Sequence, residues 1–303
     1  SLTLTATLSG ATNADVTVAL STSGAATEGT DYTDGSGNID DIVISAGSTT
    51  GTVSFTPSDD SVYEDDEAAT IAISSVSGGS ATESGTQTVT ITITDNESAG
   101  TVTLAVSASS IAENAGSSLT LTATLSSVSD EDVTVSLSTS GTATEGTDYT
   151  DGSGNIDDIT ISAGDTTGTV NFTPTDDSTY EGNETATIAI SGVSGADATE
   201  SGSQSVSVTI TENESAPSVT LTVSATSIAE NAGSSLTVTA TLSGATHENV
   251  TVAISTSGTA TEGTDYTDGS GVVDDITISA GSTTGTVNFT PTDDSVYEGN
   301  ETA

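Results

Sequence analysis

Ser118-Leu119-Thr120-Leu121-Thr122-Ala123-Thr124-Leu125 alternates apolar and hydroxylic side chains without a break. Successive side chains of a strand point to opposite faces, so period two marks a strand with one buried face, whereas a helix would repeat near 3.6. The same period continues outward. Val133, Val135 and Leu137 carry it, as do Ile159 with Ile161, Val170 with Phe172, Ile188 with Ile190, Val206 and Val208 with Ile210, and upstream Val102, Leu104 and Val106. That predicts seven strands. Thr and Val suit them because β-branched side chains pack well on a half-buried pleated surface. Gly, Asn, Asp and Ser fill the intervals, as turns require.

The block recurs. Asp31-Tyr32, Asp148-Tyr149 and Asp265-Tyr266 are spaced by 117 residues, as are Ser1-Leu2, Ser118-Leu119 and Ser235-Leu236. Searching for repeats before reading elements therefore sets the organisation. One complete module is expected at 101–217, a module lacking its first strand at 1–100, and a module lacking its last strands at 218–303. Both ends are expected to cut through a module, as in a window from a longer repetitive chain. A donor-strand polymer fits less well, because 303 residues are two repeats of 117 plus 69 and end-to-end joining would duplicate strands. The expected fold is all-β: tandem immunoglobulin-like antiparallel β-sandwiches of about seven strands each, strung as a rod.

Composition narrows function. The 303 residues include 44 Asp and Glu, one His, and no Lys, Arg, Cys, Met or Trp, for a formal charge of −44. Such a charge repels nucleic acid and anionic lipid and leaves cations as partners. Disulfides, thiolate metal sites and lysine chemistry are ruled out. No stretch approaches the about 20 apolar residues of a membrane span, and no segment resembles a signal peptide. The nine aromatics fall at three repeat positions, namely Tyr32, Tyr149, Tyr266; Phe55, Phe172, Phe289; and Tyr63, Tyr180, Tyr297. Fixed recurrence predicts core anchors in preference to a sugar-stacking platform.

The acids gather. In the complete module they stand at Glu113, at Glu145 and Asp148, at Asp176, Asp177, Glu181 and Glu184, and at Glu212 and Glu214. A hard cation such as Ca2+ takes six to eight oxygens from flexible loops, which carboxylates at one end of a sandwich supply. The aspartates Asp34, Asp40 and Asp41 and their copies Asp151, Asp157, Asp158, Asp268, Asp274 and Asp275 miss the spacing of an EF-hand loop. They read as solvated hairpin residues, and His247, where the repeat otherwise has Asn13 and Asp130, reads as a variable surface position.

Five motifs in order resemble the Calx-beta family. They are Ile111-Ala112-Glu113-Asn114-Ala115-Gly116, Gly141-Thr142-Ala143-Thr144-Glu145-Gly146-Thr147-Asp148-Tyr149, Ile161-Ser162-Ala163-Gly164, Asp176-Asp177 with Tyr180-Glu181-Gly182-Asn183-Glu184, and Ile210-Thr211-Glu212-Asn213-Glu214. The resemblance implies calcium ions at the end of each sandwich that carries its C-terminus. Carried across, the implied ligands of the middle module are Glu113, Asp148, Asp176, Asp177, Glu181, Glu184, Glu212 and Glu214. Those of the first are Asp31, Asp59, Asp60, Glu64, Glu67, Asp95 and Glu97, and those of the third Glu230, Asp265, Asp293, Asp294, Glu298 and Glu301. Where calcium-binding members tend to close on a run of aspartates, this chain has Asp95-Asn96-Glu97 and Glu212-Asn213-Glu214, which leaves the number of ions open.

The expected function is a calcium-binding structural repeat of an extracellular filament or giant surface adhesin. Calcium would stiffen the junctions, since about seven residues separate Thr211 from Val219 and include Glu212 and Glu214. Expected partners are calcium ions, neighbouring modules and identical chains in a fibre, with no nucleic acid and no membrane insertion. The alternative is a carbohydrate-binding or metal-free spacer module. No catalytic residues are expected, because three near-identical copies hold no distinctive acid pair.

Overall fold

The computed structural model describes residues 1–297 and 299–303, and every regular element among them is a strand. The seven stretches expected in the middle repeat are all strands, joined by short two- and three-residue pieces. They form two five-stranded sheets. In one, Leu119–Leu125 lies between Thr101–Val106 and Thr167–Pro174, with Tyr149–Thr150 and Thr199–Glu200 at the edges. In the other, Glu184–Ser194 lies between Val133–Gly141 and Ser205–Thr211, with Ile159–Ile161 and Ser110–Ala112 outermost.

The alternation seen in the sequence is the alternation of burial. Leu121, Ala123 and Leu125 are buried while their Thr neighbours are not, and Val133, Val135, Ile159, Ile161, Ile188 and Val208 face them from the second sheet. Tyr149 stacks on Phe172 with ring centroids 4.6 Å apart, both fully buried. The first and third repeats hold the same pair, Tyr32 on Phe55 and Tyr266 on Phe289. These rings occupy the core, which removes them from any sugar platform.

The strand Val133–Gly141 ends at a crowded crossing. Gly141 adopts φ 128°, and a Cβ there would overlap the Thr185 carbonyl oxygen. Only glycine passes so close to a neighbouring backbone. Gly24 repeats the feature at φ 127° against Ala68.

Two readings of the sequence change. Asp158, expected to be merely solvated, accepts a hydrogen bond from the Leu137 N–H at 3.0 Å, where a bulge breaks the register with Glu184–Ser194. Asp41 does the same for Leu20 at the matching bulge, and Asp275 accepts from the Ile254 N–H just past the strand Val250–Val252. A bulge leaves a backbone donor unpaired in its ladder, and Asp158 and Asp41 satisfy it. The second change concerns Tyr63, Tyr180 and Tyr297, which were expected as core anchors; Tyr180 is half-buried, and Thr179–Tyr180 pairs with Ala245–Thr246 of the following repeat. Tyr63 packs against the hydrophobic core of the following repeat, and Tyr297 is 96% exposed.

The repeats differ in which strands cover them. In residues 1–100 the strand Leu2–Thr7 pairs only with Thr50–Pro57, and an apolar groove lined by Leu4, Leu8, Leu20, Ile73 and Val89 lies open. The middle repeat fills the matching place with Val102 and Leu104. In the third repeat, Val219–Val223 pairs with Leu236–Leu242 but its Leu221 stays 57% exposed.

Candidate metal centre

Strand pairing places the acids. Ser110–Ala112 runs parallel to Ser205–Thr211 with Ala112 opposite Thr211, so the residues that follow, Glu113 and Glu212, leave the sheet side by side. The Glu113 N–H donates to the Thr211 carbonyl at 3.0 Å. Glu113, Glu212 and Glu214 each bring a carboxylate oxygen within 4.8 Å of the others. Glu113 is only 7% exposed, and its Oε1 accepts from the Asp177 N–H at 3.1 Å. Asp176 lies exposed in the same loop, and its charge adds to the Glu212 carboxyl and burial in raising the pKa of Glu214.

A second group adjoins the first. Asp148, Glu181 and Glu184 meet the same 4.8 Å limit. Asp148 is held by its own loop, accepting from the Thr144 N–H at 2.6 Å, while Glu184 opens a long strand. Glu212 links the two groups, because its Oε2 accepts from the N–H groups of Glu181 at 2.6 Å and Gly182 at 2.8 Å.

The first repeat gathers Asp31, Glu64 and Glu67, and the same depression is lined by Asp59, Asp60, Asp95 and Glu97. Asp95 accepts from the Glu64 N–H at 3.1 Å. The third repeat is looser. Asp294 donates its N–H to Glu230 at 3.0 Å and Asp265 accepts from the Thr261 N–H at 2.6 Å, while Asp293 and Glu301 are exposed. Glu298 lies outside the described residues.

Protonation reports the crowding. Burial, with Glu212 and Glu214 adding like charge, pushes the Glu113 pKa up to about 7. Burial and the charge of Asp148 push Glu184 to about 7 as well. Glu212 goes the other way, to about 2: burial opposes its charge, but N–H donors from Glu181, Glu214 and Gly182 outweigh it. Close approach of the Glu212 and Asp95 carboxyls raises the pKa values of Glu214 and Glu97, as burial and Asp148 raise that of Glu184. Like-charged carboxyls brought together resist ionising at the same time. Glu214 Oε2 is buried with no hydrogen-bond partner. A donor set made wholly of carboxylate oxygens, one of them buried and unpartnered, fits a hard divalent cation and not a soft metal.

Glu145, which the sequence places beside Asp148, does different work. It accepts from the Thr139 hydroxyl at 2.7 Å and the Ile156 N–H at 2.6 Å, fastening the long loop to the sheet. Glu28 repeats both contacts. The recurrence of this Glu in every copy was the available signal, but it does not separate a ligand from a fastener.

An all-β chain of tandem immunoglobulin-like sandwiches, each with acids gathered at one end, defines the class. The sequence matches the Calx-beta domain at residues 2–97, 95–214 and 212–302, and the chain belongs to that family. No curated protein matches it. Among solved structures, CBD12 from CALX1.2 is similar at 17% identity, covering 70% of this chain and 93% of that one with a TM-score of 0.30. The calcium binding domain CBD12 of CALX1.1 is similar at 16% identity, over 70% of this chain and 93% of that one, with a TM-score of 0.28. Invasin, a bacterial integrin-binding protein, is similar at 15% identity, over 95% of this chain and 50% of that one, with a TM-score of 0.32. No helix among the described residues is long and apolar enough to cross a membrane.

Proposed function

We propose that the chain is a calcium-binding structural repeat of an extracellular filament or large surface adhesin, with modules bounded at 100/101 and 217/218. The observation that carries this reading is the pair of carboxylate triads in the middle repeat, Glu113–Glu212–Glu214 and Asp148–Glu181–Glu184, in a chain with no Lys or Arg to neutralise them. At about 4 Å two like charges cost about 1 kcal/mol in water and about 4 kcal/mol near a protein surface. A divalent ion removes that cost in the folded state only, so it stabilises by linkage.

Position supports the mechanical part. Glu212 and Glu214 open the segment between Thr211 and Val219, so an ion held there with Glu113 would fasten the linker to the module before it. In the first repeat, Asp59, Asp60, Asp95 and Glu97 take the corresponding roles. Tandem repeats with short linkers suit reach and stiffness, and the absence of basic residues removes trypsin-type cleavage sites, which suits an exposed location.

Calorimetric titration of the chelated 303-residue chain with Ca2+, with Mg2+ and monovalent salt as controls, tests the reading. Saturable Ca2+ binding with a raised melting temperature is expected. Melting curves that overlay with calcium and with chelator at low salt would sink it.

A further inference from the structure

The joint between the first two repeats is closed by contacts that use no ion. Val62–Tyr63 pairs in parallel with Val128–Ser129, and the Asp130 N–H donates to the Tyr63 carbonyl at 3.3 Å. The Tyr63 ring packs with the core of the middle repeat, whereas the first repeat builds its own clusters from other residues, Tyr32 and Phe55 among them. Its hydroxyl donates to Asp197 at 3.1 Å. The backbone pairing recurs 117 residues on, where Thr179–Tyr180 meets Ala245–Thr246 and the His247 N–H donates to the Tyr180 carbonyl at 3.3 Å. It is a feature of the repeat, kept although the receiving side chain changes from Asp130 to His247.

The receiving surface is held in shape by its own repeat. Ala196 and Asp197 adopt φ 51° and 48°, left-handed values that residues with a side chain rarely take. The turn persists because its surroundings fix it. The Ala196 N–H donates to Glu131 Oε2 at 3.3 Å, the Ala198 N–H donates to the Gly195 carbonyl at 3.0 Å, and both alanines are buried. So fixed, the turn presents Asp197 to the Tyr63 hydroxyl.

The linker supplies a second attachment. Near its start, Asp95 accepts from the N–H of Glu64, the neighbour of Tyr63, at 3.1 Å. At its end, the Ser98 carbonyl accepts from the Ser127 hydroxyl at 3.3 Å and the Gly100 carbonyl from the Thr199 N–H at 3.1 Å. Gly100 is buried, and a Cβ there would overlap Leu125. One attachment lets two bodies swivel, whereas two on separate elements do not. Acids oppose this closure: burial and Asp31 raise the pKa values of Glu64 and Glu67, and Asp130 of the middle repeat adds to both, so like charges face each other across the joint. Salt weakens such repulsion through solvent but leaves a packed ring and backbone hydrogen bonds in place.

We propose that Val128–Asp130 and the Ala196–Asp197 turn form a docking surface for the Val62–Tyr63 strand of the repeat before, and that this surface, with the linker end, holds the first two repeats in one relative orientation without any divalent ion. Short strand addition supplies directional backbone hydrogen bonds, and an aromatic anchor supplies buried area. Two residues a side make a small contact, but a short linker keeps the partners at an effective concentration on the order of millimolar, so the joint closes within one chain. Its role is separate from that of calcium, which would fasten the linker to the module before it.

The chain has no cysteine, so introduced labels are specific. Thr52→Cys and Thr169→Cys put spin labels on matching exposed strand positions of the two repeats in the full chain. Pulsed electron paramagnetic resonance then reads their distance in chelator at about 0.15 M monovalent salt, where repulsion is screened beyond about 8 Å. A single narrow distribution is expected, with its width little changed by Ca2+. Tyr63→Ala should at least double that width in chelator, and Tyr63→Phe, which removes only the bond to Asp197, should widen it less. Hydrogen exchange at the Asp130 amide should be about tenfold faster in Tyr63→Ala, as for a locally opened contact. A broad distribution in chelator that narrows only with Ca2+ would overturn the proposal, as would a Tyr63→Ala chain with width and exchange both unchanged. Calorimetric titration of the labelled chain keeps the two readings apart. A narrow distribution without saturable Ca2+ binding counts against calcium alone, and saturable binding with a distribution that Ca2+ narrows counts against the metal-free joint alone.

Discussion

The hexapeptide Ile-Ala-Glu-Asn-Ala-Gly occurs at 111–116 and again at 228–233, identical in every residue, and the two copies live differently. In the middle repeat Ser110–Ala112 is a strand paired with Ser205–Thr211, Ile111 is 8% exposed, and Glu113 is buried with a pKa near 7. In the third repeat the same stretch forms no strand and Glu230 is exposed, although its contact to Asp294 matches that of Glu113 to Asp177. A motif sets which atoms are offered. The strand beside it sets whether they are desolvated, and desolvation is what makes a carboxylate crave a cation.

That contrast can be attacked first through the core. Phe172 and Phe289 sit in the same Thr-Gly-Thr-Val-Asn-Phe-Thr-Pro strand, but Phe172 is fully buried and Phe289 only partly. Phe172→Ala is expected to cost about 3–5 kcal/mol, and Phe289→Ala clearly less, by denaturant unfolding with probes in each repeat. Equal losses would break the comparison. Calcium comes next. At a concentration 100 times Kd each middle-repeat site should add about 2.7 kcal/mol, and hydrogen exchange should show the added protection over 101–214 and little over 228–303.

Acidity gives a smaller effect of opposite sign to the usual one. Glu113 and Glu184 are raised from an ordinary 4.5 to about 7. Folding favours their protonated forms, so this stability is full below about pH 4.5 and is lost as pH rises to about 7. Glu212, lowered to about 2, contributes above about pH 4.5 and loses that as pH falls toward 2. In chelator the melting temperature of the middle repeat should therefore rise on acidification from pH 7 toward 4.5 and then fall, while the calcium increment shrinks over the first range. Scanning calorimetry across pH checks both limbs. The smallest change is expected from Glu230→Gln, within about 0.5 kcal/mol as at ordinary surface sites. Glu113→Gln should raise the melting temperature in chelator and weaken calcium binding, so a matching pair of results would erase the distinction.

Period two made the seven strands legible, because Leu121 and Thr122 announce opposite faces without reference to anything distant. The acid clusters were visible as clusters for a similar reason: the repeat showed which acids recur. What escaped depends on partners remote in sequence. Asp158 reads as solvent-facing until the bulge at Ser136 and Leu137 is known to free an N–H. Tyr63 reads as core because its neighbour lies in another module, and period within one module carries no trace of the next. Glu145 and Asp148 look alike in the loop, and only the hydrogen bonds of Glu145 to Thr139 and Ile156 set it apart as a fastener.

The parallel pairing of Ser110–Ala112 with Thr209–Thr211 also sets how a repeat bears load. The first of these segments stands near the N-terminal end of its repeat and the second at the C-terminal end, and they run the same way. Tension drawn through the chain pulls them past each other along their length. Their hydrogen bonds are then strained together and must fail together, whereas an antiparallel hairpin pulled from its open end peels one bond at a time. Glu113 and Glu212 sit just past this clasp, so an ion between them would act as a rivet at the point where the pull enters the fold.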